Sequence, residues 1–545
     1  MVKSVYKSWN RRCRLVVREK GSHIEHVRDL HSKPFNQITR VLVALSVYLL
    51  SLAHGQYNMP SFATNRTTMV HLFEWKWTDI AAECERFLGP AGYAGVQVSP
   101  VNENAVILDP YRPWWERYQP VSYLLQTRSG TEAQFGDMVR RCNNVGVRII
   151  VDCVINHMTH RTTAGLGTAG SSFNSANKQY PTVPYGPQDF HNAEHCPTAS
   201  GDIENHQDPV ESRNCELGGL RDLNQGISSV REKITAFMNY LIDFGVAGFR
   251  IDAAKQIWPQ DMQSIADGLK DLAWQHGFPP GSRPFIFQEI IILGEEPMAG
   301  SDYFGSGRAT EFKYGLYLGE ALFGRRQLKD LANIGEPAGM YPSDYAMSFV
   351  DNHDNQRGHG AGGTNIVSHL QPKLYKIANA FMLAWPYGQA KVMSSYVWSG
   401  DDADSWVGPP NTDGATDDVV ITPEETCTNG WVCEHRWRQI KTMVAFRNLV
   451  GNAPVQNWWD NGNNQISFCR GNLGFIALNN EGSDLDRDLQ TCLPAGDYCD
   501  ITTAEIVNGA CTGRKITVGG DGLARVFISG GDEELVFATH VNAKV

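Results

Sequence analysis

Residues Gly248–Lys255 read GFRIDAAK, and a helix-like pattern, Val230–Phe244, runs up to them. The first four residues are a short apolar run ending in a β-branched residue. Asp252 closes the run, and Lys255 follows three residues later. Other short β-branched or apolar runs repeat this design along the chain: Thr68–Phe73 (TMVHLF), Gly95–Val98 (GVQV), Val147–Val151 (VRIIV), Phe285–Phe287 (FIF) and Met347–Val350 (MSFV). Helix-like stretches such as Gln263–His276 lie between them. Strands alternating with helices indicate a parallel sheet. The count and size fit an α/β fold of the (β/α)8 TIM-barrel type better than an open doubly wound sheet. No Gly-rich phosphate fingerprint follows the first strand, which counts against a dinucleotide fold.

Two intervals break the rhythm. Residues 156–224 are rich in Gly, Ser, Asn and Pro and contain Cys196 and Cys215, so they read as an irregular subdomain inserted after the third strand. From about residue 456 short strand-like runs separated by Gly/Asn turns take over, among them Gly474–Leu478, Lys515–Val518 and Ala524–Ile528. They predict an all-β C-terminal domain, a Greek-key-like β-sandwich over 456–545. The barrel is then expected over 56–155 and 225–455.

The chain has 545 residues and a formal net charge of -11. Residues 1–55 hold ten Lys/Arg and three Asp/Glu, so the rest carries -18. An acidic body argues against nucleic-acid partners. Within the leader, the apolar run Val41–Leu52 follows Arg40 and precedes Ala53-His54-Gly55. This is the pattern of a secretory signal peptide cut before Gln56. The alternative, a membrane anchor, needs about 20 apolar residues. Secretion gives meaning to the twelve cysteines. Cys13 would leave with the leader, so eleven remain and at least one is unpaired. The near pairs Cys427/Cys433 and Cys499/Cys511 could close small loops. Asn65-Arg66-Thr67 is a glycosylation sequon, and an unmodified loop Asn is the equal alternative.

In a barrel, reactive groups sit at the C-terminal ends of strands. There this sequence places Asp152 with Asn156-His157, Asp252 with Lys255, Gln288-Glu289, and Asp351-Asn-His-Asp354. A single such carboxylate is more often a cap. Together they point to carboxylate chemistry such as glycoside hydrolysis.

Four segments carry a specific resemblance: Asp152–His157 (DCVINH), Gly248–Lys255 (GFRIDAAK), Phe287–Ile290 (FQEI) and Phe349–Asp354 (FVDNHD). With His71–Trp75 (HLFEW), Arg112–Gln119 (RPWWERYQ), Gly358–Gly363 (GHGAGG) and Cys433–Trp437 (CEHRW), the chain resembles the animal-type α-amylases from about Gln56 to its end. The resemblance implies a secreted, endo-acting, retaining glycoside hydrolase of starch, glycogen and maltooligosaccharides, monomeric and without a stable membrane anchor. It makes Asp252 the nucleophile, Glu289 the general acid/base and Asp354 the third carboxylate. Arg250 is expected to lower the pKa of Asp252, and Glu289 needs surroundings that raise its own. His157 and His353 would bind sugar hydroxyls. Trp114, Trp115, Tyr118 and Gln119 would form the sugar platform, read as an exposed loop. Lys255 and Glu296 would contact outer sugars, and His359 would reach substrate from a mobile Gly-rich loop.

The resemblance further implies one structural Ca2+, held by Asn156, Asp222 and the backbone carbonyls of Arg213 and Gln256, the last in place of a family His. A chloride site would comprise Arg250, Asn352 and Lys391. Lys391 stands where the family usually has Arg, so it either helps hold the anion or replaces it. Implied disulfides are Cys84–Cys142, Cys196–Cys215, Cys427–Cys433 and Cys499–Cys511. A further Cys469–Cys492 bridge would leave Cys153 free. His206 replaces a cleft Tyr of mammalian relatives, and Gln126 replaces a family Cys. The competing readings are an exo-acting α-glucosidase or maltase of the same family and a non-catalytic carbohydrate-binding member.

Overall fold

A computed structural model of the chain describes residues 57–294, 296–531 and 533–545. The expected leader and Cys13 lie outside the described residues. Eight parallel strands close into a barrel: β1 Met69–Leu72, β2 Gly95–Val98, β3 Arg148–Cys153, β4 Gly248–Ile251, β5 Phe285–Gln288, β6 Arg308–Thr310, β7 Ala346–Ser348 and β8 Gln389–Ser394. Each pairs with its sequence neighbour, and β8 returns to β1, with Met69 opposite Lys391.

The described helices of seven or more residues are α1 Trp77–Glu83, α2 Glu132–Asn144, α3 Ser228–Phe244, α4 Pro259–Asp267, α5 Phe312–Leu322, α6 Pro372–Ala384 and α7 Arg438–Val450, and the unit around β4 shows why the sequence folds this way. Helix α3, Ser228–Phe244, buries Val230, Ile234, Phe237, Met238, Leu241 and Ile242, one face at helical spacing. Gly245 ends it in the left-handed region at φ 99°, and its N–H donates to the Ile242 carbonyl. Strand β4 follows with all four residues buried. A Cβ on Gly248 would lie 2.1 Å from the Phe285 carbonyl oxygen, so only glycine lets β4 approach β5 this closely.

Six of the eight barrel strands are legible as apolar runs. Strand β6 is three residues long and includes Arg308, whose guanidinium donates to the carbonyls of Asn58, Ser343 and Ala346. Strand β8 is interrupted by Gln389 and Lys391. Neither shows an apolar period. The stretch Gln263–His276 is also not one helix: α4, Pro259–Asp267, stops before Gly268, and Trp274–His276 is a separate 3-10 turn.

Between β3 and α3 the chain forms short antiparallel pairs, with His157–His160 against Leu220–Asp222 and Ala164–Leu166 against Ser172–Asn174. After helix α7, Arg438–Val450, comes an all-β domain. Its sheet orders β9 Val455–Asp460, β10 Gln465–Arg470, β11 Gly474–Asn479 and β16 Val536–His540. The ladders β12 Leu485–Gln490 with β15 Leu523–Ile528, and β13 Gly496–Cys499 with β14 Lys515–Val518, share a core with it through Phe475, Leu489, Val526 and Phe537.

At the seam with the barrel, Arg447 donates to the carbonyls of Met382, Trp385 and Gly388, two of them at or just past the end of helix α6, Pro372–Ala384. Arg470 donates to those of Ala384, Gly451 and Ala453. The four expected disulfides are present, with Cys469–Cys492 as a fifth, and Cys153 is free and buried. No described helix is long and apolar enough to cross a membrane.

Candidate active site

The C-terminal ends of β3, β4 and β5 converge on one guanidinium. Arg250 Nη1 lies 2.7 Å from Asp152 Oδ1 and 2.5 Å from Asp252 Oδ1, and Nη2 lies 2.6 Å from Glu289 Oε1. Strand β4 aims Arg250 into the barrel and Asp252 onto its rim. The Ala253 N–H donates to Glu289 Oε2 at 3.0 Å. Asp354, after β7, stands 3.4 Å from His353 Nε2. Side-chain exposure rises outward, from 0% at Asp152 to 10% at Asp252, 11% at Glu289 and 22% at Asp354. Asp152 is therefore the buried base of the cluster and the other three face the mouth.

Four carboxyls share this site with two buried cations, Arg250 and Lys391. Among them Asp152, Asp252 and Asp354 are each pushed upward, by burial first and then by the neighbouring negative charges. Burial holds Asp252 well above the usual carboxylate range, with Arg250 opposing and Glu289 adding to the rise. Arg250 does lower the Asp252 pKa as expected, but desolvation outweighs the ion pair, so the net shift in the free protein is upward. Burial, then the Glu289 charge, pushes Asp354 up to about 7.

Burial lowers Lys391 to about 8, and Arg250 adds to this. Lys391 Nζ donates to Gln97 Oε1 at 2.9 Å, and Gln97 Nε2 donates to Asp152 Oδ2 at 3.3 Å. The lysine head lies over the Phe287 and Phe349 rings. Asn352 turns its side-chain oxygen toward the N–H groups of Asp354 and Asn355.

The histidines at the mouth are neutral. Burial lowers His157 to about 4 and His353 well below its ordinary value. His353 stacks on Tyr118 at 5.2 Å, and Tyr118 donates to Asp152 at 2.9 Å. His157 Nε2 pairs with the Tyr118 carbonyl. Gln119 accepts from the His160 N–H.

Trp114 is not the exposed platform expected from its flanks. It is 4% exposed, its Nε1 donates to the Ser405 carbonyl, and its ring packs on His353, Tyr118 and Trp406. Trp115 is half-buried beside the same Trp406. His359 stacks on Trp406 with centroids 3.8 Å apart. Its loop needs glycine: Gly358, Gly360, Gly362 and Gly363 all have positive φ. Trp406 was missed because an isolated Trp in a polar loop carries no periodic signal. Lys255 Nζ bonds Glu296 at 2.6 Å and the Ile291 carbonyl at 3.1 Å, a separate pair on the rim.

At the base of the insertion, Asn156 Oδ1 is buried with no hydrogen-bond partner. Asp222 pairs in register with His157, next to Asn156. Its carboxylate accepts from His191 Nδ1 at 2.6 Å, a partner the sequence did not suggest. Burial pushes Asp222 up to about 6, with His191 opposing. The helix Pro209–Asn214, carrying Arg213, packs on the turn Ala254–Gln256. Among the described residues no group of three His, Cys, Asp or Glu side chains gathers as a metal site. A site of one carboxylate, one amide and two backbone carbonyls contains no such group.

Comparison with known proteins matches residues 116–305 to the family model "Alpha amylase, catalytic domain" and 456–541 to "Alpha amylase, C-terminal all-beta domain". The chain is 55% identical to alpha-amylase 1B of Homo sapiens over 508 residues, which is 92% of this chain and 99% of the relative. It is 53% identical to pancreatic alpha-amylase of Sus scrofa over 514 residues, 92% of this chain and 100% of the relative. Among solved structures, a mutant of alpha-amylase I from Eisenia fetida in complex with maltohexaose superposes with a TM-score of 0.85 at 46% identity, covering 89% of this chain and 99% of that one.

Proposed function

We infer the reaction from one premise: the chain belongs to the α-amylase family, and it is a glycoside hydrolase that acts on starch. We propose a retaining, endo-acting cut of α-1,4 bonds. The observation that carries it is the pair Asp252 and Glu289 on the two nitrogens of one guanidinium. That arrangement suits the spacing of about 5–5.5 Å that retention requires.

Asp252 attacks the anomeric carbon as Glu289 gives its proton to the departing glycosidic oxygen. A glycosyl ester forms on Asp252 and the sugar chain beyond the cut leaves. Glu289 then takes a proton from water, which attacks the same carbon and frees Asp252. The step requires a proton on Glu289 and an ionised Asp252 when substrate is bound. Asp354 grips hydroxyls of the distorted ring. Neutral His157 and His353 add hydrogen bonds without adding charge. Trp115 and the Trp406–His359 stack offer apolar faces to further glucose rings, while Tyr118, Gln119, Lys255 and Glu296 line the approach.

The residues present fit a calcium ion. The unpartnered Asn156 oxygen, the Asp222 carboxylate and the backbone oxygens of Arg213 and Gln256 are the hard ligands it takes. Bound there, it would pin the insertion to the barrel beside His157. A chloride at Arg250, Asn352 and Lys391 would ease the repulsion between the two buried cations. Full activity after dialysis against chloride-free buffer would rule out an obligatory anion.

We assign 56–155 with 225–455 to the barrel, 156–224 to the calcium-binding insertion and 456–545 to the β domain, in a secreted monomer with starch, glycogen and maltooligosaccharides as substrates. Digestion of long maltodextrins with product sizing tests the endo reading. Mixed oligosaccharides with retained α configuration are expected, whereas glucose alone at early times would mark an exo-acting α-glucosidase instead.

A further inference from the structure

We propose that Asn65 is an N-glycosylation site, and that its glycan sits on the face of the barrel opposite the catalytic mouth. Asn65-Arg66-Thr67 is the one Asn-X-Ser/Thr in the sequence. The two residues after the asparagine turn inward. Arg66 donates to the carbonyls of Gly89, Tyr93 and Val145 at 3.0, 3.3 and 2.8 Å. The Thr67 N–H and hydroxyl both donate to Asn448 Oδ1, at 3.0 and 2.9 Å. Asn65 lies in the turn before this anchor, in the left-handed region at φ 63° that asparagine tolerates. It is exposed, and its amide has no hydrogen-bond partner among the described residues. The fold thus fixes the flank and leaves the acceptor outside, with room for a bulky group.

The place follows from the strands. Gly89, Tyr93 and Val145 precede β2 and β3, and Thr68 leads into β1, so this turn lies at the N-terminal ends of the barrel strands. Asp152, Asp252 and Glu289 lie at the opposite ends. The donor would be a lipid-pyrophosphate-linked oligosaccharide. Its anomeric carbon forms a bond to Asn65 Nδ2, the lipid pyrophosphate leaves, and the amide nitrogen gives up one proton. The reaction needs passage through the secretory lumen, so the inference rests on the secretion proposed above. The five disulfides suit that route.

The test is expression of the full chain in secreting eukaryotic cells, followed by peptide-N-glycosidase treatment and peptide mass spectrometry. The secreted protein should shift to lower mass on treatment, with Asn65 converted to Asp in its peptide. The shift should vanish in Asn65→Gln and persist in Thr67→Ser, which keeps both the sequon and the hydroxyl. Starch hydrolysis should be the same before and after native deglycosylation. Secreted protein that never shifts, or an Asn65→Gln variant that still shifts, overturns the glycan while leaving secretion intact. Protein found only in the cytosol overturns both. Activity that changes on deglycosylation overturns the placement away from the mouth.

Discussion

Two regions of the molecule bury arginine for opposite ends. At the barrel mouth, Arg250 meets three carboxylates, which hold its pKa well above the ordinary value against burial. At the seam between barrel and β domain, Arg447 and Arg470 meet only backbone carbonyls, and burial lowers each to about 10. The seam carbonyls include those that the end of helix α6 leaves without amide partners. A neutral ring of carbonyls holds a cation without depending on its own state of protonation, which suits a fixed joint. A ring of carboxyls leaves the site crowded with titratable groups, which suits proton transfer. The residue type is the same, and its partners decide between structure and chemistry.

The sharpest way to break this comparison is at the mouth. Asp252→Asn should lower kcat on starch by at least about 10⁴-fold, and Glu289→Gln by about 10²–10⁴-fold, with circular dichroism unchanged. Hydrolysis near the wild-type rate in either variant would remove the assigned role. Next, Arg250→Met should lower kcat/KM by roughly 100-fold and stability by about 3 kcal/mol, because three buried carboxyls lose their common partner. Arg470→Met should behave differently. It unpairs carbonyls, lowering stability by about 2 kcal/mol in urea melts, with kcat near room temperature unchanged. If it instead lost activity at unchanged stability, the division between joint and chemistry would fail.

The smallest effect is a pH slope. Asp354 has its folded pKa raised to about 7, so between about pH 4 and 7 the native state keeps a proton that the unfolded chain releases. Its contribution to stability is present at the acid end of that window and is lost as pH rises through it. Asp354→Asn should flatten this fall in Tm, and an unchanged slope would remove Asp354 as its source.

Two of the proposed catalytic positions were legible because each closes a short strand whose apolar run reveals where the side chain must emerge. The places of Asp252 after Gly248–Ile251 and Glu289 after Phe285–Gln288 follow from that pattern, while their proposed roles rest on the motifs taken together and on the resemblance they carry. What stayed hidden depends on contacts distant in sequence. Trp114 is covered from 291 residues away, at Ser405, and so turned from a presumed open platform into a buried wall. His191 reaches Asp222 across the insertion. Strands β6 and β8 lacked a signal because their arginine and lysine serve the bottom carbonyls and the mouth, replacing the apolar residues that mark a core strand.

The shared guanidinium also imposes an order in time. When Asp252 becomes an ester in the proposed reaction, its negative charge disappears just as Glu289, having released its proton, acquires one. Arg250 touches both, so its attraction passes from one partner to the other without the side chain having to travel. The site is thereby rearmed for the attack by water: the group that began as an acid is held as a base until the sugar has left.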